Sequence, residues 1–156
     1  MNDADAAIRT LLDERAVEQV AVAYTVALDT RDWTGLTDVF LPDATADLAT
    51  RDTLVGVEAI TERIRRALEP LDATQHLIGN HRVLVTDDAA THHCYLHAQH
   101  VRHGAEPSPN FIVGGRYEDD LVRTDAGWRI AHRRLVIQWQ EGNPAVLAAR
   151  HPRGAR

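Results

Sequence analysis

The sequence has no lysine; all 17 of its basic residues are arginine. That excludes Schiff-base chemistry, a lysine-anchored pyridoxal cofactor and the lysine of a phosphate loop. It has one cysteine, Cys94, so no internal disulfide and no Cys-x-x-Cys site can form. No apolar run approaches the ~20 residues that span a bilayer. The Met-Asn-Asp-Ala-Asp start is acidic, whereas a secretory signal opens on positive charge. These absences predict a cytoplasmic protein. Excess positive charge is missing too: 17 basic residues face 23 acidic ones, a net −6 with histidine neutral. A nucleic-acid or anionic-membrane surface is therefore not expected.

What is present suits one domain with a real core: 156 residues, 44% hydrophobic and 26% charged. Residues 4–28 read as a helix, with Val17, Val20, Ala21, Tyr24 and Leu28 at helical spacing. From Ala16 onward apolar residues nearly encircle its axis, which predicts burial on more than one side. Asp32 or Thr34 is placed to cap a short helix through Phe40, which Pro42-Asp43 would end. Residues 44–50 suit a short strand. Gly56–Leu68 suits a helix, with Val57, Ile60, Ile64 and Leu68 on one stripe.

The period then changes from helix to strand. His81–Thr86, Ala89–His103, Asn110–Arg123 and Trp128–Gln138 read as strands joined by short turns. Helices followed by long antiparallel strands predict an α+β fold, a strongly bent sheet wrapped around helices as a cone with one open end. The domain spans residues 1–140, and 141–156 reads as a tail, partly disordered.

Asp29 ends an apolar helix, so its carboxylate is expected at the edge of the core, where it needs a partner. His76, in the apolar-flanked segment Gln75-His76-Leu77-Ile78, suits that part: a carboxylate fixes an imidazole's tautomer and stabilises the imidazolium. Between Ala90 and His103 the residues alternate, with Cys94, Leu96, Ala98 and His100 on an inside stripe and His93 and His97 on the wetter side. Nine histidines raise the question of a metal. His92, His93 and His97 have the spacing of a helical pair, but in a strand positions i and i+4 lie about 13 Å apart. No metal site is expected. Gly114-Gly115 predicts a sheet-bending bulge. Asp119-Asp120 reads as a solvated pair, Ser108 lacks a nucleophile-elbow context, and Trp128 and Trp139 read as core or interface residues.

Leu28-Asp29-Thr30-Arg31-Asp32-Trp33, the Asp43 after Phe40, Gln75-His76 and Asp125-Ala126-Gly127-Trp128-Arg129-Ile130 together resemble SnoaL-like proteins of the nuclear transport factor 2-like superfamily. Within it the chain looks most like the branch of scytalone dehydratase and hexachlorocyclohexane dehydrochlorinase, over about residues 8–140. The resemblance implies a cone with a deep hydrophobic pocket, an Asp29–His76 catalytic dyad, and His100 as a second active-site histidine. It also implies a pocket arginine near Arg123 and assembly into homo-oligomers, trimers first and dimers second. Departures accompany it. Leu28 and Leu48 stand where scytalone dehydratase has tyrosines, Gly115 and Tyr117 where it has serine and asparagine, and the dehydrochlorinase's lysine has no counterpart.

The expected activity is that of a cofactor-independent lyase or isomerase, a dehydratase or cyclase acting on a hydrophobic cyclic molecule such as a polyketide, terpenoid or steroid-like compound. His76 would take the proton; His100 or a pocket tyrosine, Tyr24 or Tyr117, would return one. Tyr24, Leu48, Tyr117 and Arg123 are the substrate-binding candidates. The alternative is a non-catalytic small-ligand-binding or assembly module on the same fold.

Overall fold

The computed structural model describes residues 3–148. The first helix, α1 (Asp3–Thr30), leads through a 3₁₀ turn (Thr34–Asp38) into β1 (Phe40–Asp47) and the two-residue β2 (Leu54–Val55). Helix α2 (Val57–Leu68) follows, then the long strands β3 (Ala73–Thr86), β4 (Ala89–Val101), β5 (Asn110–Thr124) and β6 (Gly127–Gly142), and a last 3₁₀ turn (Pro144–Val146). The six strands form one sheet in the order β2-β1-β6-β5-β4-β3. All neighbours are antiparallel except β1 and β6, which run parallel. The sheet's inner face closes on α1 and α2 as an α+β cone.

Alternation in the long strands explains the core. In β4, Ala90, His92, Cys94, Leu96, Ala98 and His100 are all buried while the residues between them face out. Helix α2 contributes Ile60, Ile64 and Leu68, the i, i+4 stripe of its sequence. Gly114-Gly115 marks the expected register shift in β5. The Trp139 indole lies over Gly114, where a Cβ would stand 2.0 Å from it, and a Cβ on Gly115 would stand 2.3 Å from the Val136 carbonyl oxygen.

Several expectations need correction. Helix α1 is buried on one side only: Val17, Ala21, Tyr24, Ala27 and Leu28 are covered, while Val26 is exposed. Pro42 lies inside β1 at an interruption of its pairing with β6, where its missing N–H costs no ladder bond. β3 begins at Ala73, not His81, because Asn80 (φ 54°) and His81 form a bulge that hides the alternation. Of the stretch 141–156 the structure describes residues 141–148, where Val146 is fully buried and Asn143 donates to the carbonyls of Glu106 (2.9 Å) and Ser108 (2.7 Å). Residues 149–156 lie outside the described residues. Among the described residues no helix is long and apolar enough to cross a membrane.

Candidate active site

Asp29 sits in the last turn of α1, and His76 faces inward from the start of β3. The two meet at 2.6 Å between Asp29 Oδ1 and His76 Nδ1. The same carboxylate accepts the His76 backbone N–H at 2.8 Å through Oδ2 and the Thr74 hydroxyl at 2.9 Å through Oδ1. Arg31 (φ 61°) supports this corner by donating to Thr74 Oγ1 at 3.0 Å and to the carbonyls of Leu28 and Leu71. Burial opposes ionisation of Asp29, but the hydrogen bonds from His76 and Thr74 outweigh it and hold the carboxyl below its usual range. An ionised carboxylate only accepts, so His76 Nδ1 carries the hydrogen, and in the neutral ring the lone pair lies on Nε2.

His76 lines a cavity with about 700 Å³ of empty space, its mouth included. Its walls are mainly apolar: Leu28, Leu48, Ile64, Leu96, Val113 and Leu147 among others. The His100 ring stands edge-on to His76 with centroids 5.7 Å apart. Its Nδ1 is 3.2 Å from the Phe111 carbonyl oxygen, an acceptor, so this nitrogen bears the hydrogen and Nε2 the lone pair. Burial, reinforced by the neighbouring His76, pushes the His100 pKa down to about 4. The ring is therefore neutral near pH 7 and presents Nε2 as an acceptor.

Tyr24 and Tyr117 form another part of the wall, edge-to-face at 5.6 Å. Burial raises the pKa of both phenols, so they stay protonated. Behind them lies a charge. The guanidinium carbon of Arg133 stands 4.1 Å from the Tyr24 ring centroid and 4.3 Å from that of Tyr117. Asp119 holds this arginine through two bonds of 2.6 and 2.7 Å and accepts His92 Nδ1–H at 2.9 Å. Burial opposes ionisation of Asp119, but Arg133 more than offsets it and keeps the carboxyl below its usual range. One guanidinium nitrogen, Arg133 Nη1, is buried with no hydrogen-bond partner among the described residues.

Tyr24, Leu48, His76, His100 and Tyr117 thus share one cavity, with Asp29 directly behind His76. Arg123 does not join them. It is held by Asp13 (2.7 and 2.8 Å) and Asp88 (3.0 Å) and stacks on Trp128, because these carboxylates draw it to the far end of β5. Nor is Asp119 solvated; it is 3% exposed. Sequence reasoning missed Arg63 and Gln140, which line the cavity. Arg63 had a legible signal: it interrupts the apolar face of α2, and Ala59, Ile60, Arg66 and Ala67 at its helical neighbour positions offer no carboxylate. Arg65 and Arg66, by contrast, pair with Glu62 and Glu69.

Comparison with known proteins supports this architecture. The profile of the SnoaL-like domain matches residues 9–134. The chain belongs to the SnoaL-like domain family. This SnoaL-like domain is 31% identical over 127 residues to the uncharacterized protein Rv2910c of Mycobacterium tuberculosis, covering 81% of this chain and 86% of that protein. Among solved structures it superposes on a provisional scytalone dehydratase from Novosphingobium aromaticivorans with a TM-score of 0.78, at 24% identity over 94% of this chain and 97% of that one. It also superposes on a type 2 hexachlorocyclohexane dehydrochlorinase with a TM-score of 0.77, at 16% identity over 96% and 99% of the two chains. At these identities the two structures speak for the fold alone, an α+β cone.

Proposed function

We propose that the protein is a cofactor-independent lyase or isomerase of the dehydratase or cyclase type, with the Asp29–His76 pair as its acid–base machinery. The observation that carries the reading is the 2.6 Å bond from His76 Nδ1 to Asp29, which leaves the other ring nitrogen lone-paired on a ring that lines an apolar cavity. A carboxylate, a tautomer-fixed imidazole and a dry pocket are what proton abstraction from carbon needs. The substrate class that suits these walls is a hydrophobic cyclic molecule. Arg63 and Gln140 would receive a carbonyl or anionic substituent.

In this mechanism His76 Nε2 removes a proton next to the substrate carbonyl, and Asp29 meets the positive charge the ring acquires. The C–H electron pair passes into the carbonyl as an enolate, whose oxygen takes a hydrogen bond from a protonated phenol, Tyr24 or Tyr117. The enolate collapses to a C=C bond as the C–O bond of a β-hydroxyl breaks. The imidazolium returns its proton to the departing hydroxide, so water leaves and the dyad is restored. His100 accepts a hydrogen bond from the hydroxyl through Nε2 and sets its direction. Without a leaving group the same enolate reprotonates at another carbon, which is isomerisation.

The test is turnover of a panel of cyclic β-hydroxyketones, followed by the absorbance of the enone formed. Replacing His76 with alanine should cut kcat about 10³-fold and Asp29→Asn about 10²-fold, within the usual span of acid–base contributions. Full activity in His76→Ala would sink the dyad. Binding of panel members by the wild type with no turnover would favour the ligand-binding module instead.

A further inference from the structure

Farther along β3, a second group of donors converges. At the bulge, Asn80 and His81 together stand opposite Cys94 of β4, since Gly79 pairs with Tyr95 and Arg82 with His93. The extra residue turns the His81 ring inward onto His92, the rings stacked with centroids 5.3 Å apart and His81 Nδ1 2.9 Å from His92 Nε2. Cys94 follows His92 by one step on the same buried face. One donor atom from each of the three lies within 4.8 Å of the other two. His92 gives its Nδ1–H to Asp119, so its Nε2 faces the cluster with a lone pair.

We propose that His81, His92 and Cys94 form a binding site for a zinc-class divalent cation, with Asp119 as the carboxylate that orients His92. Two imidazoles and a thiolate are a zinc-type donor set, and a carboxylate on the far nitrogen of a ligating histidine is the usual outer support. Bonds of ~2.1 Å to a tetrahedral ion separate two nitrogens by roughly 3.4 Å. His81 therefore retreats by about half an ångström, and its half-buried place on the bulge of an edge strand allows that. On binding, His81 moves its hydrogen from Nδ1 to Nε2 with no net change. Cys94, whose thiol burial pushes up to about 11, releases one proton to solvent as it becomes a thiolate. Helix α1 brings Glu18 near His81, paired with Arg15 at 3.4 Å. The exposed His93 and His97 point to the opposite face of β4 and stand outside the set.

The site does not depend on the dyad and is tested without a substrate. Tag-free protein is titrated with Co²⁺ in weak buffer, followed by Zn²⁺ competition. The expected result is one ion per chain, a near-ultraviolet thiolate-to-cobalt charge-transfer band and release of one proton. His81→Gln should weaken binding at least tenfold, and Cys94→Ser should abolish the band with the far-ultraviolet circular dichroism unchanged. A titration without the band, or with the same affinity in His81→Gln, overturns the proposal. If Cys94→Ser does not fold, His81→Gln decides alone.

Discussion

Asp29 holds both the ring and the main chain of one residue, His76, through its two oxygens. Asparagine in its place still offers one oxygen and can keep one of these bonds, so Asp29→Asn tests the charge more than the fold. His100 has a separate signature. An unfolded histidine takes its proton near pH 6.5, the folded one only near pH 4. Between those values the unfolded chain binds more protons, so this ring's contribution to stability is whole above pH 6.5 and is lost as pH falls toward 4. The full loss is at most about 3 kcal/mol. Urea midpoints at pH 7 and pH 4.5 should therefore fall less in His100→Gln than in the wild type; an equal fall would mean that the native ring is not held neutral. The dyad was legible because an acid ending an apolar helix needs a partner. Arg123 misled because nothing in the sequence announces its capture by Asp13, 110 positions away.

At the level of elements, the strands bounded by short turns were readable and the irregular ones were not. A bulge breaks the period of two, so the first half of β3, His76 included, read as a connection. The parallel pairing of β1 with β6 joins residues some 90 positions apart, and no local pattern encodes it. The paired glycines were legible and give a graded prediction. In Gly115→Ala the new methyl meets a backbone carbonyl that cannot rotate away, and the cost should reach roughly 3 kcal/mol. In Gly114→Ala it meets the half-exposed Trp139 ring, which can swing outward, so the cost should be nearer 1 kcal/mol. Denaturant unfolding of the two variants checks the order; equal losses would show that the ring is as fixed as the main chain.

For the whole molecule, the outer face of the sheet carries exposed Leu77, Leu84, Tyr95 and Trp139. Apolar side chains gathered on one face suit contact with a second copy, and we propose a homo-oligomer, a trimer before a dimer. Light scattering should give a multiple of the one-chain mass that drops in Tyr95→Asp. A one-chain mass in the wild type would reject the assembly. The inner side was the more legible of the two, because burial dictates which residues face it, whereas nothing within one chain dictates what meets its exterior.

The cavity draws its walls from Tyr24 near one end of the chain to Leu147 near the other. During translation the helix that carries Asp29 is made before the strands that face it, yet the pocket lacks its last wall until residue 147 has left the ribosome. A small molecule that fits this pocket therefore cannot guide the growing chain. It can only hold a protein that has already closed.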